Sequence, residues 1–244
     1  MSARKEAVIH IGTHKTGTTS FQHALVQSRD ALAASGVQLV SDMASGQCRS
    51  LANEAVRPDL IFPGRVLNPD LLLPEARLEA RRWLRDQFGG PASLAIVSDE
   101  ALSFVRTTAE ARRVRRLLGG RRARIVVVLR DRDEYLRSWG EQLESMGFPR
   151  SSRYAASFMN VAPDSWLADT DQLVRSYRSA FGRDAVTVLQ YADLTAEGSS
   201  TRGLWSACGL PEPDAPSILD TWHNVTAEKT PAGPAVRLLQ RIWD

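Results

Sequence analysis

Two hydrophobic patterns take turns along this chain. Short runs rich in Val and Ile give way to longer stretches in which apolar residues recur every three or four positions. The first pattern predicts strands and the second amphipathic helices. Strands are expected at 7–11, 37–40, 93–98, 124–129 and 185–190. Helices are expected at 18–35, with Phe21, Leu25 and Leu32 on one face, and at 74–88, with Leu78, Trp83, Leu84 and Phe88 inward. Further helices are expected from Thr107 to Gly119, at 133–146, 170–181 and 200–208, and at 234–243, which ends without a stop signal. Gly36, Gly89-Gly90, Gly119-Gly120, Gly182 and Gly209 close these segments, and Thr107-Thr108-Ala109-Glu110 reads as a capping box. Ile125, Val126, Val127 and Val128 form an unbroken β-branched run, the mark of a central parallel strand covered on both faces. Residues 41–73 and 147–166 show no regular period and are read as long loops that shape a site.

Strands alternating with helices predict an α/β fold: a three-layer α/β/α domain around a central, mainly parallel sheet. No repeat, linker or low-complexity tract divides residues 1–244, so one domain is expected. Ligands of such sheets bind beyond the carboxyl ends of the strands. That directs attention to 12–19, 98–100, 130–133 and 191–194.

Composition adds modest constraints. Hydrophobic residues make up 43% and charged residues 24%, enough for a substantial core. No apolar run approaches membrane-spanning length, and the first strand follows the amino terminus too closely for a signal peptide, so a cytoplasmic protein is expected. Cys48 and Cys208 are read as free thiols in a reducing compartment, with a disulfide as the alternative. The net charge is +3, and only three of 31 basic residues are lysines: Lys5, Lys15 and Lys229. Arginine clusters at 112–113, 115–116 and 121–122 fall at helical spacing beside Val114, Leu117 and Leu118. They are read as a solvated helix face, and no aromatic interleaving suggests a nucleic-acid platform.

The chemistry concentrates at the first strand–helix junction. Residues 10–22, His-Ile-Gly-Thr-His-Lys-Thr-Gly-Thr-Thr-Ser-Phe-Gln, place a Gly/Thr-rich turn ahead of a helix. Backbone N–H groups and the helix dipole at such a turn favour an anion. The ordinary P-loop spacing Gly-x4-Gly is present as Gly12 and Gly17. Thr18, however, stands where the P-loop lysine belongs, and the lysine comes two residues before Gly17, as Lys15.

This segment resembles the 5′-phosphosulfate loop of the PAPS-dependent sulfotransferases, whose pattern is Lys-Thr/Ser-Gly-Thr-Thr/Ser. A second segment, 126–139, resembles that family's 3′-phosphate site, an Arg at a strand end with a Ser eight residues on: Arg130 and Ser138. The Pro usual in that segment is replaced by Arg132. Tyr191-Ala192-Asp193-Leu194 resembles a structural turn of the family. The resemblance implies a P-loop NTPase-like α/β/α fold and 3′-phosphoadenosine 5′-phosphosulfate (PAPS) as sulfuryl donor, without a metal. It implies that Lys15 balances charge on the leaving phosphate, and that Thr16, Gly17, Thr18, Thr19 and Ser20 bind the 5′-phosphate. Lys229, in a late loop at 223–229, is a further candidate for the 3′-phosphate.

Sulfuryl transfer needs a base for the acceptor's proton. Glu100 is the first candidate and Asp99 the second, with His14 on the loop's crest able to touch sulfate or acceptor. His10 is read as a packed strand residue. A carbohydrate or small-molecule acceptor is expected, met by Arg57, Arg65, Arg150, Arg153, Tyr154, Phe158 or Trp166 from the two long loops. No membrane or nucleic-acid partner is expected, and no metal spacing is present. Two other readings stay open. Residues 94–100 can be read as a Walker B strand of a nucleotide kinase or ATPase, with Asp99 on Mg²⁺ and Glu100 activating the nucleophile. A non-catalytic nucleotide-binding module is the other.

Overall fold

The structure is a computed structural model that describes residues 5–14, 16–150, 156–196 and 198–220. Five strands, β1 (Glu6–Gly12), β2 (Val37–Leu39), β3 (Leu94–Ser98), β4 (Arg122–Leu129) and β5 (Val186–Gln190), form one sheet in the order β2-β3-β1-β4-β5. All four pairings are parallel. The helices are α1 (Thr18–Gln27), α2 (Arg29–Ala34), α3 (Arg49–Ala55), α4 (Pro63–Leu67), α5 (Pro74–Gly89), α6 (Thr108–Leu117), α7 (Arg132–Ser145), α8 (Thr170–Phe181), α9 (Tyr191–Ala196) and α10 (Ser200–Ala207).

Period-two alternation in the central strands sends side chains to two separate cores. Ala7, Ile9 and Ile11 of β1, with Ile125, Val127 and Leu129 of β4, pack with α3 to α8 on one face. Val8, Val126 and Val128 pack on the other with Phe21 and Leu25 of α1, Leu32 of α2 and Leu204 and Trp205 of α10. Helices therefore cover both faces, and the apolar run of β4 is buried on both sides, as its composition predicts.

The chain departs from the sequence reading in several places. The helix expected at 18–35 breaks at Ser28 into α1 and α2. Residues 41–73 are not irregular: they contain α3, α4 and a 3₁₀ turn at Pro69–Leu72. Their helices are five to seven residues long, too short for a period to emerge. Leu78 is exposed and Trp83 only partly buried, so α5 presents mainly Leu84 and Phe88 to the core. The Tyr191 segment is the first turn of α9, not a turn between elements. The capping box at Thr107 and Glu110 forms as expected.

Arginine placement also differs. Arg121 is buried and donates to the carbonyls of Phe88, Glu6, Ala92 and Gly90, tying the entry of β4 to the end of α5. Arg112, Arg115 and Arg116 are exposed, as a solvated helix face requires, although Arg115 also donates to the Ala180 carbonyl; Arg113 is half-buried and donates to that of Ala55. Arg65 is fully buried. Its Nε donates to Asn53 Oδ1, Nη1 to the carbonyls of Arg57 and Leu60, and Nη2 to those of Asn53 and Val56. All five donors of the guanidinium are thereby used in knitting the 53–60 segment, leaving none for an acceptor. Both cysteines are buried and free.

Candidate active site

Because β1 lies between β3 and β4, its carboxyl end is flanked by the ends of both. Strand order reverses around this point, which opens a crevice there. Thr13 fastens the loop after β1 to β4: its backbone N–H and its hydroxyl both donate to the Val128 carbonyl, at 3.1 and 3.2 Å. The Asp99 amide donates to the His10 carbonyl at 3.2 Å and fastens the end of β3 to the same strand.

The loop itself is held by its own hydroxyls. Thr16 Oγ1 donates to the Thr13 carbonyl at 2.6 Å and lies 3.3 Å from Thr18 Oγ1. Gly17 caps α1 with φ of 76°, a conformation that favours glycine. A Cβ on Gly17 would stand 2.5 Å from Ser200 Oγ, at the first position of α10. The loop therefore closes against the amino-terminal turns of two helices. Thr16, Thr18 and Ser20 are buried, and Thr19 is exposed. His14 stacks on Trp139 of α7, with ring centroids 4.1 Å apart, and leans on Phe104. The crest of the loop thus rests on an aromatic shelf.

Arg130 leaves the end of β4. Its Nη1 lies 3.5 Å from Ser138 Oγ, its Nε donates to Glu134 at 2.9 Å, and its guanidinium lies 5.3 Å from the Tyr191 ring centre. The Tyr191 ring also reaches to 3.7 Å from where a Cβ on Gly17 would sit. Tyr191, from the strand end singled out at 191–194, accordingly stands between the Gly17 turn and the Arg130–Ser138 pair, a site role the sequence reading did not assign to it. Ser200 was not foreseen either; its only sequence signal is the Ser-Ser-Thr run that opens α10.

Glu100 opens a 3₁₀ turn, Glu100–Phe104, and is half-buried. Its Oε2 accepts from Gln22 Nε2 at 3.3 Å and from Gln47 Nε2 at 2.9 Å. Asp99 caps that turn by accepting from the Ala101 amide at 2.7 Å. It is 1% exposed, and Arg49 Nε lies 3.9 Å from its Oδ2. Burial pushes the Asp99 carboxyl up to about 7 against the opposing pull of Arg49. His10 is buried as expected, with Nδ1 2.9 Å from Ser98 Oγ. Burial lowers its pKa to about 3, so the ring is neutral.

Of the other acceptor candidates, Phe158 is part of the core, and its carbonyl takes the Trp139 indole N–H. Trp166 lies beneath the guanidiniums of Arg57 and Arg106, so its ring is already engaged. Arg150 is exposed and pairs with Glu144. Lys15, Lys229, Arg153, Tyr154 and the 234–243 segment lie outside the described residues. Among the described residues no cluster of three His, Cys, Asp or Glu side chains could hold a metal, and no helix is long and apolar enough to cross a membrane.

No protein-family model matches this chain, and no curated protein matches it. Among solved structures, the chain is similar to a crystal structure of a sulfotransferase from Alicyclobacillus acidocaldarius. The match covers 99% of this chain and 91% of that one, with a TM-score of 0.50 and 15% sequence identity. At that identity the likeness is one of fold.

Proposed function

We propose that this protein is a PAPS-dependent sulfotransferase acting on a hydroxyl, or an amine, of a carbohydrate or small-molecule acceptor, and that residues 1–244 act as one domain. The supporting observation is the convergence of Arg130 and Ser138 to 3.5 Å, with the Tyr191 ring between that pair and the Gly17 turn. A nucleotide phosphorylated at both 3′ and 5′ positions needs two anion sites separated by a nucleoside, and we read the Arg130–Ser138 pair and the Gly17 turn as those two sites. Arginine suits a dianionic phosphate through paired N–H donors, and the Ser138 hydroxyl adds one more. At the other site, the α1 amino terminus and the hydroxyls of Thr18, Thr19 and Ser20 surround the 5′ group.

PAPS supplies an activated sulfuryl group. In the transfer, the acceptor oxygen bonds to sulfur, the bond from sulfur to the bridging oxygen breaks, and that oxygen keeps the electron pair on the departing bisphosphate. The acceptor's proton goes to Glu100. Lys15 balances charge on the leaving phosphate. Asp99 serves less well as the base: it is almost wholly enclosed and caps its own 3₁₀ turn. The same placement disfavours a Walker B role for Asp99, since its carboxylate is committed to Ala101 and faces Arg49. His14, stacked on Trp139, is assigned to shaping the sulfate side of the crevice.

Thermal shifts separate the readings. Adenosine 3′,5′-bisphosphate should stabilise the protein and ATP with Mg²⁺ should not; the reverse result sinks the proposal. Bisphosphate binding with no transfer across a broad acceptor panel, followed with labelled donor, would leave a non-catalytic binding module.

A further inference from the structure

We infer that Gln22 and Gln47 are positioning residues that hold Glu100 for proton transfer, occupying its Oε2 and leaving Oε1 to take the acceptor's proton. The inference rests on the reading of Glu100 as the base. Both amide donors reach one oxygen, Oε2, at 3.3 and 2.9 Å, and no described residue donates to Oε1.

The amides are themselves oriented by groups that allow no other arrangement. Arg49 Nη2 donates to Gln47 Oε1 at 2.7 Å. A guanidinium can only donate, so Gln47 must present its oxygen to Arg49 and its NH₂ to Glu100. Gln22 is buried, and its NH₂ is shared between Ser98 Oγ at 3.2 Å and Glu100. Gln47 is placed by a parallel bridge to Ser98, and its carbonyl accepts from the amides of Asp42 and Met43. The two glutamines thus approach Glu100 from different elements, one from α1 and one from the segment after β2.

The chemistry of this choice is specific. Amide N–H groups can only donate, so both fix the direction of one carboxylate oxygen without placing a competing cation beside the acceptor. Gln22 also lies one turn beyond Thr18 on α1, so the helix that begins at the donor loop also carries a support of the base. Geometry at the donor and geometry at the base are set by one rigid element, and misplacement of a reacting group by an ångström can cost about 100-fold in rate.

A purely structural role for the network, pinning residues 41–48 to the sheet, makes different predictions. Gln47 is half-buried on a connecting segment, so Gln47→Ala is the primary variant, with Gln47→Glu as a second that swaps a donor for an acceptor. Crystals of wild type and variants with adenosine 3′,5′-bisphosphate should show the Glu100 carboxylate displaced in both variants while the fold and the bisphosphate are unchanged. Release of labelled sulfate from labelled PAPS to water should fall about 100-fold. Adding Gln47→Ala to Glu100→Gln should cause no further loss, because Gln47 acts only through that carboxylate. An unmoved Glu100 in Gln47→Ala, or losses that multiply in the double variant, overturns the inference. Failure of wild type to bind the bisphosphate sinks the sulfotransferase reading instead. Glu100's position in the variant crystals answers the positioning question in either case.

Discussion

Arg130, just past the end of β4, and Ser138 on α7, eight residues on, meet at 3.5 Å, while Glu134 between them holds the guanidinium from its other edge. The pair is held on a strand end and a helix, so it is formed before any ligand arrives. Arg130→Ala should weaken adenosine 3′,5′-bisphosphate binding by about 10- to 100-fold, as loss of a charge-assisted contact implies. Ser138→Ala should cost less, about 10-fold or under. Isothermal titration checks both. Glu134→Gln should leave affinity unchanged or raise it, since the carboxylate competes with phosphate for Arg130.

Gly17→Ala should damage the loop twice over. A φ of 76° costs an alanine about 1 kcal/mol or more, and the new methyl would press on Ser200 Oγ. Denaturant titration should show the loss, and Ser200→Gly in the same chain should recover the steric part alone. Full recovery would show that the backbone conformation is of no consequence.

Lys15→Ala is expected to lower sulfuryl transfer by orders of magnitude with little effect on melting temperature, because its charge is needed chiefly as the leaving phosphate gains negative charge. Bisphosphate affinity should change far less than turnover. Unaltered turnover would remove Lys15 from the active site.

Two buried titrating groups should pull stability in opposite directions with pH. Asp99 is raised from 3.8 to about 7, so the folded state holds the extra proton between those values. Its contribution is full at low pH and lost as pH rises through 7. His10 is lowered from 6.5 to about 3. Its contribution is present above 6.5 and lost as pH falls toward 3. Asp99→Asn should therefore make stability rise more steeply between pH 4 and 6.5, and His10→Asn should make it fall there. Urea midpoints across that range provide the measurement.

Arg65→Met should destabilise the protein by about 3 kcal/mol or more, because it strands several carbonyls that the guanidinium now satisfies. Arg65→Lys should recover little, since an ammonium cannot reach five acceptors at once. Bisphosphate binding per folded molecule should be unaffected by either.

Order along the chain determined much of this molecule. β-Branched runs and three-to-four periodicity are local properties, and they foretold the five described strands and the layering, while the Gly/Thr motif foretold the Gly17 turn. Position within the fold did not follow from them. The helices of 41–73 are too short to leave a periodic trace. Arg65 and Arg121 have the composition of surface residues, yet the fold surrounds them with carbonyls that only a buried guanidinium can satisfy. Glu100 could be marked as a candidate from the end of its strand, but not its supports: Gln22, Gln47 and Ser98 are separated by 25 to 76 residues, and nothing local links them. Parallel pairing of β1 with β3 brings those residues together, while the pairings of β1 with β4 and of β4 with β5, on the other side of β1, bring the segment after β5 with Tyr191 and Ser200 toward Gly17. Sequence placed the loop between Gly12 and Gly17; packing across the sheet decided what faces it.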